Sequence, residues 1–185
     1  MKRFLFLDID GVVNTVMIYS KPIEGRRMIN KDGFYFELCY PKDGRVSNEF
    51  AVNWLNKLCL EYNLDIVITS TWLIGHKLQE IANCLHNSGL DTRIKIVDGA
   101  FHNQFKGRGV QIESWLENNN YKPDENILII LDDDRDMVGF RKDYTQYLIH
   151  CSTFVGFGMN EYSKACEFLD KQIEEKENRH GQKKE

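Results

Sequence analysis

The sequence predicts an open α/β fold, a parallel, Rossmann-like sheet with helices on both faces. Three observations carry that expectation. Several short runs are apolar throughout rather than alternating, as strands buried on both sides are, and the segments between them place apolar residues at helical spacing. The runs also end on polar or acidic residues, and in parallel α/β sheets ligands bind beyond the carboxyl ends of the strands.

The first strand is "FLFLD", near residues 3–8. The stretch from about 15 to 46 then breaks the rhythm. Turn signals at Pro22, Gly25 and two "KDG" triplets surround the alternating "FYFELCY", which predicts a small β-hairpin flap inserted over the first strand's end. In "NEFAVNWLNKLCLEY" a helix is expected, capped by Ser47 or Asn48, with Phe50, Trp54, Leu55 and Leu58 on one side. "DIVIT" at 65–69 is the next strand. "HKLQEIANCLHNSG" groups Leu78, Ile81, Ala82 and Leu85 on a helix that stops at Gly89. Strands are expected again at 93–98, 126–132 and 146–150, with a helix in "GVQIESWLENN" presenting Ile112, Trp115 and Leu116. A last helix near 159–176 carries Tyr162, Ala165, Cys166, Leu169 and Ile173.

At 185 residues the chain fills one core, so a single domain over 1–177 with a frayed polar tail at 178–185 is the expected organisation. A net charge of -4 argues against holding nucleic acid by bulk electrostatics, while leaving room for a local basic patch. The apolar run at the start is broken by Asp8 too early for a signal peptide, and no stretch approaches the roughly 18 apolar residues of a membrane span. A cytoplasmic protein is expected. Five cysteines, Cys39, Cys59, Cys84, Cys151 and Cys166, lie far apart with no metal-binding spacing and read as free thiols.

Acids mark two strand ends, Asp8 and Asp10 at the first and Asp132, Asp133, Asp134 and Asp136 in "LDDDRD", while Thr69, Ser70 and Thr71 mark another. Side by side, such carboxylates raise one another's pKa, and burial adds to the cost. A hard divalent cation relieves both, and all-oxygen ligands favour Mg²⁺. On an extended strand, residues two apart point to the same side about 6.6 Å apart, so one of Asp8 and Asp10 can attack phosphorus while the other serves the leaving oxygen. Gly11 lets the chain turn away after the pair.

"FLFLDIDGVV" resembles the first motif of the haloacid dehalogenase (HAD) superfamily of phosphohydrolases, an apolar strand followed by D-x-D-G. The resemblance implies that Asp8 becomes phosphorylated and that Asp10 is the general acid and base. "DIVITST" is similar to the second motif, giving the phosphoryl contact to Thr69, with Ser70 next. "ILIILDDDRD" is similar to the fourth, in which acids hold Mg²⁺; Asp8, Asp10, Asp132, Asp133 and Asp136 are the implied metal set. The third motif supplies a cation at a helix start, and "FKGRGVQI" offers both Lys106 and Arg108. Within the superfamily, "TSTW" and "LDDD" are most similar to a cap-poor group of RNA-repair-type proteins, and "DDR" at 133–135 to polynucleotide phosphatases.

The resemblance therefore implies a Mg²⁺-dependent phosphomonoesterase acting on a phosphorylated substrate, including a nucleotide or polynucleotide end. Ser70, Gly11, Arg26 and Arg27 are the expected substrate contacts, with Lys21 and Lys31 on the same flap; equally, these cations keep a hairpin soluble. Two alternatives stand beside this reading: a non-catalytic phosphate-binding or scaffolding module of the same fold, and a small-metabolite phosphatase. Dehalogenase chemistry is disfavoured by the second Asp and the acidic fourth motif.

Overall fold

The computed structural model describes residues 1–15, 28–29, 35–36, 44–46, 48–100 and 107–182. Strand β1 (Arg3–Leu7) is followed by a short pair, β2 (Met28–Ile29) and β3 (Tyr35–Phe36), and then by helix α1 (Glu49–Tyr62). The chain continues through β4 (Asp65–Ile68), a 3-10 turn (Thr71–Ile74), α2 (Leu78–Asn87), β5 (Ile96–Gly99), α3 (Arg108–Asn118) and β6 (Ile127–Asp132). A second 3-10 turn (Thr145–Tyr147), β7 (Leu148–His150) and α4 (Met159–Gln182) complete it. Five strands form one sheet in the order β5-β4-β1-β6-β7, every pairing parallel. The chain steps outward from β1 through β4 and β5, then returns to the other side of β1. That reversal opens a crevice at the ends of β1 and β6.

Both faces of the sheet are covered, which is why its strands are apolar throughout. On one face Leu5, Leu7, Ile66, Ile68, Ile129 and Leu131 join a core with residues of α1, α2 and α4. On the other, Phe4, Phe6, Val67, Leu128 and Ile130 pack with Ile112, Trp115 and Leu116 of α3. Trp115 meets the rings of Phe4 and Phe6 edge-on at 5.1 and 5.5 Å, an arrangement that suits the ring quadrupoles.

Several details differ from the expectations. The strand expected at 93–98 starts at Ile96, because Asp91 accepts the backbone and side-chain N–H groups of Arg93 and holds a turn there. Phe50 is 71% exposed, since the buried stripe of α1 runs through Ala51, Val52, Leu55, Leu58 and Cys59. Helix α4 runs past residue 176 to Gln182; on it Lys176 is buried and donates to the Pro123 carbonyl. Cys59, Cys84, Cys151 and Cys166 are free thiols, and Cys39 lies outside the described residues. Of the expected flap, the described part is the antiparallel pairing of Met28 with Phe36 and Ile29 with Tyr35. Lys21, Arg26, Arg27 and Lys31 lie outside the described residues. The stretch leaves and rejoins the core at one place, where the Asn48 amide donates to the Thr15 hydroxyl at 3.3 Å and to the Val155 carbonyl at 2.9 Å. Among the described residues no helix is long and apolar enough to cross a membrane.

Candidate active site

The last bond of the β1–β6 seam runs from the Asp8 N–H to the Leu131 carbonyl, so Asp8 stands directly beside the end of β6. Beyond it the chain does not stay extended. The Ile9 carbonyl accepts the N–H groups of Val12, Val13 and Asn14, which closes a tight turn around Gly11. Asp8 and Asp10 therefore reach the crevice from a turn, not from two alternate positions of a strand. Gly11 has φ +76°, and a Cβ there would sit 2.2 Å from the Asp133 carboxyl carbon. Glycine is required twice over, for the left-handed backbone and for the close approach of an acid. Gly11→Ala is expected to cost about 1–3 kcal/mol of stability and to displace Asp133, measurable by urea unfolding and by a structure of the variant.

Three carboxylates converge at the crevice. Oxygens of Asp8, Asp132 and Asp133 lie within 4.8 Å of one another. Asp8 is 6% exposed and Asp132 fully buried. Arg108, the first residue of α3, bridges two of them, its Nη2 at 3.1 Å from Asp8 and its Nε at 2.7 Å from Asp132. The third, Asp133, accepts the Thr153 hydroxyl at 2.6 Å. Burial pushes the Asp8 carboxyl above its ordinary range, against the pull of Arg108 and of hydrogen bonds from the Ile9 N–H and Ser70. Burial and the Asp8 charge push Asp132 up to about 7 despite Arg108. One guanidinium does not compensate this cluster, and the site favours additional positive charge.

Asp10 is held apart from the trio. Its Oδ1 accepts the Asn14 amide at 2.7 Å and its Oδ2 the Trp72 indole N–H at 2.8 Å. Burial outweighs both bonds and pushes its carboxyl up to about 6. Asp134 is exposed, and its carboxylate accepts the N–H groups of Arg135 and Asp136. Asp136 is also exposed and lies against Gly107, where a Cβ would meet its Oδ2 at 2.1 Å. Neither Asp10 nor Asp136 belongs to the group within 4.8 Å.

The end of β4 supplies the neutral groups. The Thr69 N–H donates to the Leu7 carbonyl, which seats Thr69 beside the turn that follows β1. Its hydroxyl is buried with no hydrogen-bond partner among the described residues. An unpaired buried hydroxyl costs about 1–3 kcal/mol, so an acceptor arriving at this site would gain a ready donor. Ser70 is fully buried and caps the 3-10 turn, while Thr71 is exposed. Of the two cations considered, Arg108 is in the cluster and Lys106 lies outside the described residues. Asn14, Trp72 and Thr153 are the contributors that sequence patterns did not assign. Asn14 ends the "DIDGVVN" segment and Trp72 ends "TSTW", signals that assigned neither a role, and Thr153 carries none.

A family model described as "HAD domain in Swiss Army Knife RNA repair proteins" matches residues 4–161. The chain belongs to this family. The HAD sheet, the D-x-D turn and the acidic end of β6 all fall inside the matched span, as do Thr69 and Arg108. No curated relative and no solved structure matches the chain.

Proposed function

We propose that this HAD domain is a Mg²⁺-dependent phosphomonoesterase that works through an aspartyl-phosphate at Asp8. The observation that carries the reading is the convergence of Asp8, Asp132 and Asp133 around Arg108 at the switch point of the sheet. A carboxylate oxygen of Asp8 forms a bond to phosphorus. The ester P–O bond breaks, its electron pair leaves on the substrate oxygen, and that oxygen takes a proton from Asp10. Water then adds to phosphorus, gives a proton to Asp10, and the bond to Asp8 breaks to release phosphate and restore the carboxylate. Thr69 and Arg108 supply donors to the phosphoryl oxygens.

The donor set fits a hard cation. Three carboxylates within 4.8 Å, of which Asp8 and Asp132 have raised proton affinity, are the all-oxygen environment that Mg²⁺ takes, and Asp8, Asp132 and Asp133 would hold it. Bound there, Mg²⁺ would neutralise the charge shared by nucleophile and phosphate. Asp10 and Asp136, at their present positions, would act through water or neighbouring groups. Hydrolysis of an aryl phosphate in Mg²⁺ is expected, with loss in EDTA, and Asp132→Ala should raise the Mg²⁺ concentration for half activity at least about tenfold. Phosphate binding without hydrolysis would favour the scaffolding alternative and overturn the reading.

The substrate we propose is a phosphorylated nucleic-acid end. The description of the family as RNA-repair proteins supports this choice, as does the flap sequence with Lys21, Arg26, Arg27 and Lys31. An insertion of this length lacks the residues for a cap that encloses a small molecule. A phosphorylated oligonucleotide should show higher kcat/KM than its mononucleotide, and the preference should shrink with salt and with Arg26 and Arg27 both changed to Glu. Equal kcat/KM at low salt would favour a small metabolite.

A further inference from the structure

We infer that Trp72 is a positioning residue that aims the Asp10 carboxyl group at the leaving oxygen. The inference rests on the phosphomonoesterase reading and concerns how that chemistry is oriented. Asp10 has one donor on each oxygen, the Asn14 amide on Oδ1 and the Trp72 indole on Oδ2. A single donor leaves a carboxyl group free to swing about its last torsion, whereas two donors on opposite oxygens fix its plane. Each oxygen has a second lone pair, so the group can carry and deliver a proton without giving up either bond.

Both donors are themselves rigid. Asn14 is fully buried in the turn whose N–H is held by the Ile9 carbonyl. Trp72 is 5% exposed and sits in the 3-10 turn capped by Ser70, whose hydroxyl accepts the Trp72 N–H at 3.4 Å. That turn follows Thr69 directly, so one segment carries both the unpaired hydroxyl and the indole. The position of the acid is thereby tied to the position of the phosphoryl donor. A buried indole N–H needs some acceptor, and a backbone carbonyl would satisfy it. Here it meets a partly exposed carboxylate beside the nucleophile, where a shift of about 1 Å costs up to about 10²-fold in rate.

The test compares Trp72→Phe with a second variant in which Trp72 is replaced by benzothienylalanine, which keeps the bicyclic shape and lacks the N–H. For both, kcat and KM are measured with Mg²⁺ on 4-nitrophenyl phosphate, whose leaving group needs no proton, and on an alkyl phosphate, whose leaving group does. Expected is a loss in kcat/KM, which reads the phosphoryl-transfer step and not the later hydrolysis common to both esters, of about 10- to 100-fold on the alkyl ester, with little change in kcat/KM on the nitrophenyl ester. Adding Asp10→Asn should cost no more than Asp10→Asn alone. Equal losses on both esters, or additive losses with Asp10→Asn, would overturn the inference and leave Trp72 a packing residue. If Trp72→Phe fails to fold, the benzothienyl variant decides by the same criteria. Absence of any Asp8-dependent hydrolysis in the unaltered protein would overturn the phosphatase reading, and the inference with it.

Discussion

Asp8→Asn is expected to leave a folded protein without measurable turnover. The amide is nearly isosteric with the carboxylate and keeps an oxygen for the Ile9 N–H, which Asp8 now accepts at 2.8 Å. It also removes one of the charges that burial penalises, so thermal stability should hold or rise. What it cannot do is form the bond to phosphorus, because an amide oxygen is a poor nucleophile and nothing in the crevice can deprotonate it. Rate measurements on the aryl phosphate, with melting curves for fold, check both halves. Retention of more than about a thousandth of the activity by the pure variant would remove Asp8 from the nucleophile role.

Arg108→Met has the second largest expected effect, and it acts on stability as well as rate. The guanidinium is 11% exposed and contacts two buried carboxylates. Removing one partner of a buried ionic cluster costs about 3–5 kcal/mol, because the remaining charges stay desolvated. The cost depends on pH in a definite direction. Asp132 in the fold holds its proton up to about 7, above its unfolded value of 3.8, so its contribution to stability is full below 3.8 and lost as pH rises through 7. Losing Arg108 raises that proton affinity further. The variant should therefore unfold much more easily than the parent at about pH 8 and approach it at about pH 5, where Asp132 is protonated. Denaturant titrations at the two pH values check this, and equal destabilisation at both would mean that Arg108 acts by packing.

The strands were legible because a sheet covered on both faces needs every residue apolar, and that condition writes itself into consecutive positions such as Phe4 to Leu7 and Ile127 to Leu131. The acids were legible for the converse reason: Asp8 and Asp132 end such runs, where a charge has no structural purpose. Helix faces were less secure. Phe50 was grouped with Trp54, Leu55 and Leu58, yet in the first turn of α1 it is Ala51 and Val52 that turn inward and Phe50 that faces outward. Contacts that join distant segments left no local trace. Trp72 lies 62 residues from Asp10 and Thr153 lies 20 from Asp133, so neither bond has a spacing that a single chain could reveal. The D-x-D geometry differs from the one expected, since the turn at Ile9, and not a strand's two-residue repeat, sets how Asp8 and Asp10 approach.

The meeting of Thr15 with Asn48 has a consequence for how such a domain diversifies. An excursion whose two ends are already within a hydrogen bond of each other adds almost no constraint on its own length, since closing a loop grows more costly only with the logarithm of the residues in it. Segments can be lengthened, shortened or exchanged at this doorway while β1, the turn at Gly11 and α1 stay where they are. On the proposed reading recognition and chemistry then occupy separable stretches of one chain, and an engineer who wishes to redirect the domain to a new phosphoester has a natural graft point between residues 15 and 48.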